Sequence, residues 1–322
     1  MRKAMKTVEI PYILGRKLSE ILPPRPENSH KYMFGSLLLI GGSRGMTGAI
    51  AMSAIAAMRS GAGLATVACP DCERAIIAGL VPEAMTFGAI CDDGTFAQSA
   101  ADEILEFASR RRFSAVLIGP GMSCTDSTSE FTSRLLSGFA KMNTVSPDGN
   151  GNIGMPLVID ADALNCVARI GGFDRINGWK RQVSTIITPH EGEAARILGR
   201  KVESGFRENA VMELATLCGG TAVLKGHGTL VCDGKDIFRN ETGGSELAKG
   251  GSGDILAGIA ASLLMQNGIM RGFTSQTTFG SAALAVWIHG MCGYFAAERY
   301  GRRCVLPTDL PEFLPNAFRL LE

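Results

Sequence analysis

The chain carries no excess of either charge: 32 lysines and arginines stand against 31 aspartates and glutamates in 322 residues, a formal net charge of +1. With both signs interspersed, nothing suggests a basic face for nucleic acid or for an anionic membrane surface. The expected partner is a small molecule. Histidine is scarce, at 4 residues, and of the 9 cysteines only Cys69 and Cys72, in CPDC, have the spacing of half a zinc site. No second Cys-x-x-C and no histidine pair completes a tetrahedral set, so the cysteines read as free thiols. No apolar run approaches the roughly 18 to 20 residues that span a bilayer, and the basic start MRKAMKTVEI lacks the apolar centre of a signal peptide. The expected location is the cytoplasm. No internal repeat is visible.

What the chain does have is apolar mass. At 46% hydrophobic and 20% charged residues it can bury a large core. Residues 1–30 read as an arm, because the short amphipathic RKLSEIL is stopped by the prolines of PPRPENSH. Residues 31–322 read as one domain without an internal linker. Within it SLLLIGG, GLATVAC, SAVLIGPG, PLVIDAD, STIITPH and TAVLKGHG alternate with helical patterns. Short, continuous apolar runs between helices are the mark of strands buried on both faces. The predicted fold is therefore α/β, a doubly wound and mainly parallel sheet with helices on both faces. TLVCDGKDIFRN, turning at Asp233-Gly234, predicts a hairpin at the sheet edge. NTVSPDGNGNIGM predicts a surface excursion.

Ligands of open parallel sheets bind beyond the C-terminal ends of the strands. Here those ends are glycine or polar: Gly41-Gly42, Gly119-Pro120-Gly121, Asp160 and Asp162, Thr188-Pro189-His190, Lys225-Gly226. Glycine there lets backbone approach a ligand or take positive φ. GGSRGMTGAIA after LLLI also looks like the cofactor turn of short-chain dehydrogenases, which resemble one another in a Tyr-x-x-x-Lys pair. Tyr12, Tyr32, Tyr294 and Tyr300 are followed at the fourth place by Arg16, Ser36, Glu298 and Cys304, so that pair is missing.

GGSGDILAGIAASLLMQ places Asp254 in the first turn of a helix whose apolar positions include Ile255, Leu256, Ile259, Ala260, Leu263 and Leu264. The amides of Gly251, Ser252 and Gly253, with the positive end of the helix dipole, form an anion hole for a phosphoryl group. A carboxylate beside that hole can take a proton from an attacking hydroxyl. A first-turn acid can also simply offset the dipole, and the packed glycines favour the chemical role.

This GxGD pattern resembles the ribokinase-like superfamily. LLLIGGSRGMTGAIAMSAIAAMRSGAGLATVA, VLIGPGM, PLVIDADALN, IITPHEGEAARILG, AVLKGHGTLV and LAKGGSGDILAGIAASLL occur in the order and spacing of the ADP- or ATP-dependent NAD(P)H-hydrate dehydratases, over roughly residues 28 to 320. The resemblance implies metabolite repair by a hydro-lyase. The ring hydroxyl of hydrated NADH or NADPH would be phosphorylated by ADP or ATP with Asp254 as base, and phosphate would then be eliminated, leaving AMP or ADP. Carried over by motif, Ala49, Gly121, His190 and Asp254 would contact the hydrated dinucleotide. Lys225, Gly226, His227, Gly228, Thr229 and Gly253 would hold the nucleotide, and Glu193 a magnesium ion through water. The family also suggests a homotetramer, and the bacterial look of the chain tilts the donor toward ADP. The epimerase domain fused to some members is not expected here. Glu191 stands where the family has proline, and the loop at 143–155 is longer than the family pattern. Two other readings share the fold: a vitamin-precursor kinase acting on a hydroxymethyl-pyrimidine or thiazole alcohol, and a nucleotide sensor without catalysis.

Overall fold

Alternate residues of the first long apolar run face opposite ways. Leu37 and Leu39 belong to one core and Leu38 and Ile40 to another, the two-residue period of a strand covered on both faces. The computed structural model describes residues 9–145, 152–179 and 184–322. Its main sheet has nine strands: β1 (Ser36–Ile40), β2 (Leu64–Pro70), β3 (Met85–Ala89), β4 (Ala115–Ile118) and β5 (Leu157–Ile159). The others are β6 (Thr185–Ile187), β7 (Thr221–Leu224), β8 (Leu230–Cys232) and β9 (Ile237–Arg239). Their order is β9-β8-β7-β6-β5-β4-β1-β2-β3. β1 to β7 run parallel, and β8 and β9 pair antiparallel as the predicted edge hairpin.

Helices cover both faces. One layer holds α1 (Thr47–Arg59) and α2 (Arg74–Leu80). The opposite layer holds α3 (Ala100–Arg110), α4 (Asp126–Lys141), α5 (Ala161–Arg169), α6 (Glu191–Leu198) and α7 (Arg207–Cys218). With α1 and α2 pack α8 (Ser252–Arg271) and α9 (Ser275–Tyr300). All six predicted runs donate alternate side chains to both cores, as strands covered by helices on both faces do in the doubly wound arrangement.

Two features differ from the sequence reading. β3 escapes it because it is the edge strand: Met85 is exposed and the next three residues are half-buried, so no continuous apolar run marks it. The expectation that no apolar stretch reaches spanning length fails for α8 and α9, each long and apolar enough by length and composition. Glycine, serine and single polar residues interrupt both runs and disguise them. Inside the fold, 78% of the apolar window of α8 and 89% of that of α9 are buried, so each serves as a core helix, and α8 is apolar all round rather than on one stripe.

Residues 9–30 lie against this layer. Leu18 is fully buried, and Arg271 on α8 donates to the carbonyls of Ile21 and Glu20 at 2.6 and 3.0 Å. The predicted excursion after α4 is a hairpin pairing Asn143–Val145 with Asn152–Gly154; residues 146–151 of it lie outside the described residues.

Candidate active site

Five neighbouring strands, β1, β4, β5, β6 and β7, end on one rim, and nearly every strand-end residue singled out above emerges there. The parallel register brings them side by side: Ile40 lies opposite Ile118, Ile118 opposite Ile159, and Ile159 opposite Ile187. α8 points its N-terminus at this rim. It is held by a close crossing with α1, where Ser53 Oγ donates to the Asp254 carbonyl at 2.9 Å. Gly258 permits that crossing, since a Cβ there would strike the Ser53 carbonyl.

Between the rim and α8 lies a cavity of about 600 Å³. Asp160, His190, Glu193, Lys225, the loop from Gly226 to Thr229, the turn from Gly251 to Asp254, and His289 all line it. Gly251 has φ +98°, a conformation open to glycine. The Ser252 amide donates to the Lys249 carbonyl at 3.2 Å, so of the three amides assigned to the anion hole, those of Gly251 and Gly253 are left for a ligand. That is the usual state of a helix's first turn. The Ser252 hydroxyl instead meets Nε2 of His289, 3.1 Å away. Burial lowers that imidazole to about 4, so it is neutral at pH 7.

Lys225 is the electrostatic centre. Its Nζ donates to Asp160 Oδ1 at 2.7 Å and stands 3.7 Å from Glu193 Oε2. Burial alone would lower its pKa, but Asp160 and Glu193 outweigh that and hold it above its ordinary value. The same ammonium would lie 3.2 Å from a Cβ at residue 253, which explains why glycine suits the approach. Asp160, 1% exposed, is also fixed by the Thr188 hydroxyl at 2.7 Å. Asp254 is raised from 3.8 to about 7, first by burial and then by Asp160, with Lys225 opposing. Its proton is therefore exchangeable near neutrality.

His190 lines the cavity, yet its ring also caps α6: Nδ1 accepts from the amides of Gly192 and Glu193 at 2.9 and 3.2 Å. Burial, then Lys225 and Arg196, lower its pKa, in keeping with a ring nitrogen used as acceptor. Glu193 closes the box by accepting from the His190 amide at 2.8 Å. It is 4% exposed, and burial raises its pKa. Both that amide and the Lys225 ammonium meet Oε2, while Oε1 lies 3.4 Å from Nε2 of His190. Among the described residues no three Asp, Glu, His or Cys side chains form a metal cage. No direct cage for magnesium is built among the described residues, and a contact from Glu193 through water stays a proposal.

The loop carrying Gly226, His227, Gly228 and Thr229 is held by a residue the sequence reading passed over. Arg207 donates through Nη1 to the carbonyls of His227 and Gly228 at 2.7 and 3.2 Å, and through Nη2 to that of Leu224 at 3.3 Å. Glu191, the residue in the proline position, lies 3.2 Å from Arg207 Nε; the N–H does not point at it, so the pairing is electrostatic.

Ala49 and Gly121 lie beside this cavity rather than on its wall. The turns after β1 and β4 interlock there, with the Gly42 amide donating to the Pro120 carbonyl at 2.9 Å. A Cβ on Gly121, at φ +62°, would sit 3.0 Å from the Ala49 Cβ and would overlap the Met46 carbonyl. Asp162 reaches the same place, accepting from the Ser123 amide at 2.8 Å. Asp160, Arg207 and His289 are the site's late additions. Asp160 stood out only as a strand end, while a lone histidine in an apolar helix and an arginine opening another carry no local signal.

A parallel sheet whose rim faces a glycine-flanked aspartate at a helix N-terminus defines a ribokinase-like α/β protein. Residues 37–316 match the NAD(P)H-hydrate dehydratase family. The chain belongs to that family. It is 34% identical over 310 residues to the bifunctional NAD(P)H-hydrate repair enzyme of Moorella thermoacetica, covering 94% of this chain and 52% of that protein. The chain thus spans about half the length of the first curated relatives it matches. It is 32% identical over 289 residues to the ADP-dependent (S)-NAD(P)H-hydrate dehydratase of Neisseria meningitidis, covering 88% of this chain and 85% of that one. The ADP/ATP-dependent NAD(P)H-hydrate dehydratase of Bacillus subtilis, co-crystallized with ATP and Mg2+, superposes with a TM-score of 0.75 at 27% identity, over 95% of this chain and 96% of that one.

Proposed function

We propose that this protein restores hydrated NADH and NADPH to NADH and NADPH at the expense of ADP or ATP. The observation that carries the reading is the placement of Asp254: a carboxyl brought to about 7, at a helix N-terminus whose Gly251 and Gly253 line the same cavity. The ring hydroxyl of the hydrate attacks the terminal phosphorus while Asp254 takes its proton. The two amides and the helix dipole stabilise the phosphoryl group in transit. AMP leaves from ADP, or ADP from ATP. The ring phosphate ester then eliminates phosphate, and the double bond returns.

Lys225 and the Gly226 to Thr229 loop, held by Arg207, are assigned to the nucleotide phosphates and ribose. His190 and the Ala49–Gly121 turns are assigned to the hydrated dinucleotide. Magnesium, on this reading, enters on the phosphates of the nucleotide, which is its common mode. A homotetramer and a cytoplasmic location remain proposals drawn from the family resemblance and the composition.

The test is direct: mix protein, hydrated NADH, magnesium and either ADP or ATP, and follow the reduced-nicotinamide absorbance. Recovery that requires a nucleotide and releases free phosphate is expected. Recovery without nucleotide would remove the phosphorylation step, and a stable phosphorylated alcohol from a vitamin precursor would point to the kinase reading instead.

A further inference from the structure

Cys72 and Cys91 are 19 positions apart, yet their sulfurs lie 3.2 Å from each other. Cys72 is exposed, Cys91 half-buried, and both are free thiols. The CPDC spacing pairs Cys72 with Cys69, but Cys69 is buried, with its thiol 3.9 Å from the Phe87 carbonyl and pushed up to about 12 by burial. We propose that Cys72 and Cys91 form a reversible intramolecular disulfide, a redox modification site on the outer side of the glycine turn after β1. The backbone already aligns them. β2 and β3 pair in register through Pro70 opposite Ala89, and each chain reaches its cysteine two residues later. Closing a sulfur pair from this distance to a bond requires an approach of roughly 1 Å.

The two segments that carry these cysteines also grip Arg44 in that turn. Arg44 Nη1 is 2.7 Å from Asp93 Oδ1, its amide donates to the Gly94 carbonyl at 2.8 Å, and its Nε is 3.6 Å from Glu73. Exposed ion pairs hold such a grip weakly. A covalent tie between the segments would fix it, leaving the turn less free to move.

A hydroperoxide serves as the oxidant. The exposed Cys72 thiolate attacks one peroxide oxygen, the O–O bond breaks, and the released alkoxide or hydroxide takes a proton. Cys91 sulfur then attacks the sulfenic sulfur, the S–O bond breaks, and water departs with the thiol proton. A dithiol reverses the bond by exchange. Desolvation and the hydrogen bond with Cys91 raise Cys72 above its ordinary value, so Cys72 rests as a thiol until an oxidant arrives.

The experiment exposes the reduced 322-residue chain to stoichiometric hydrogen peroxide, alkylates remaining thiols and maps the peptides by mass spectrometry. The expected result is a linked Cys72–Cys91 peptide lighter by two hydrogens and cleaved by dithiothreitol, with the exposed Cys304 still alkylated. Cys72→Ser and Cys91→Ser should each abolish it. Sulfinic acid at Cys72 with Cys91 still alkylated, or oxidation of Cys304 ahead of the pair, would overturn the proposal. The measurement reads sulfur chemistry alone and is independent of the proposed catalytic activity.

Discussion

The two halves of the strand-end rim are filled by different things. Beyond β5, β6 and β7 the space is held by charge, with Asp160, Glu193 and Asp254 around Lys225. Beyond β1 and β4 it is held by backbone, with Gly42 and Pro120 hydrogen-bonded and no room for a Cβ at Gly41 or Gly121. A charged half should tolerate small changes of shape and fail when a charge is removed. A half made of close backbone should do the reverse.

The largest expected effect is on the charged side. Asp254→Asn keeps the shape and removes the base, so kcat should fall by roughly a hundred- to ten-thousandfold with nucleotide binding retained. Stability should move the other way. The folded pKa lies above the ordinary one, from 3.8 to about 7, so through that window the folded state holds a proton the unfolded state has released, and stability falls as pH rises. Asparagine removes this dependence. Melts at pH 5 and pH 8 should show the variant at or above the parent at the higher pH. A variant that keeps more than about a tenth of parental kcat would contradict the base role.

Lys225→Ala comes next. The nucleotide KM should rise by roughly ten- to a hundredfold, the value of a lost charge-assisted contact. Because Lys225 lowers the Asp254 pKa, the acidic limb of the kcat profile, expected near 7 in the parent, should shift to higher pH. An unmoved limb would show that the ammonium does not act on Asp254.

Gly121→Ala probes the other half. Positive φ and overlap with the Met46 carbonyl should cost about 1 to 3 kcal/mol of stability, seen as a lowered Tm. A collapse of kcat with Tm unchanged would break the contrast between the halves. Ser53→Ala, which removes the bond to the Asp254 carbonyl, should cost about 1 kcal/mol and lower kcat less than Asp254→Asn does.

Much of this was legible in the chain. The six apolar runs, the edge hairpin, the strand-end polar residues and Asp254 in a helical first turn all follow from patterns a few residues long, because strand burial and helix initiation are local events. Other features could not be read that way. β3 lacks the pattern since an edge strand need not be apolar throughout, and α8 and α9 concealed their length behind small residues that only tertiary packing explains, Gly258 against Ser53 and Gly290 against Thr242 among them. The cysteines read as free thiols and are free, but nothing in the CPDC spacing signals that Cys91 lies 3.2 Å from Cys72.

The sequence by itself determined that this is a doubly wound α/β protein with a glycine-flanked aspartate at a helix N-terminus, because backbone periodicity and turn chemistry are carried by neighbours in the chain. Tertiary structure decided the charges. Asp160 meets Lys225 across 65 positions and Cys72 meets Cys91 across 19, and a carboxyl rises to about 7 only when distant strands and helices together exclude water from it. Burial and the partners it imposes belong to the assembled fold, so they are written in no single stretch of the sequence.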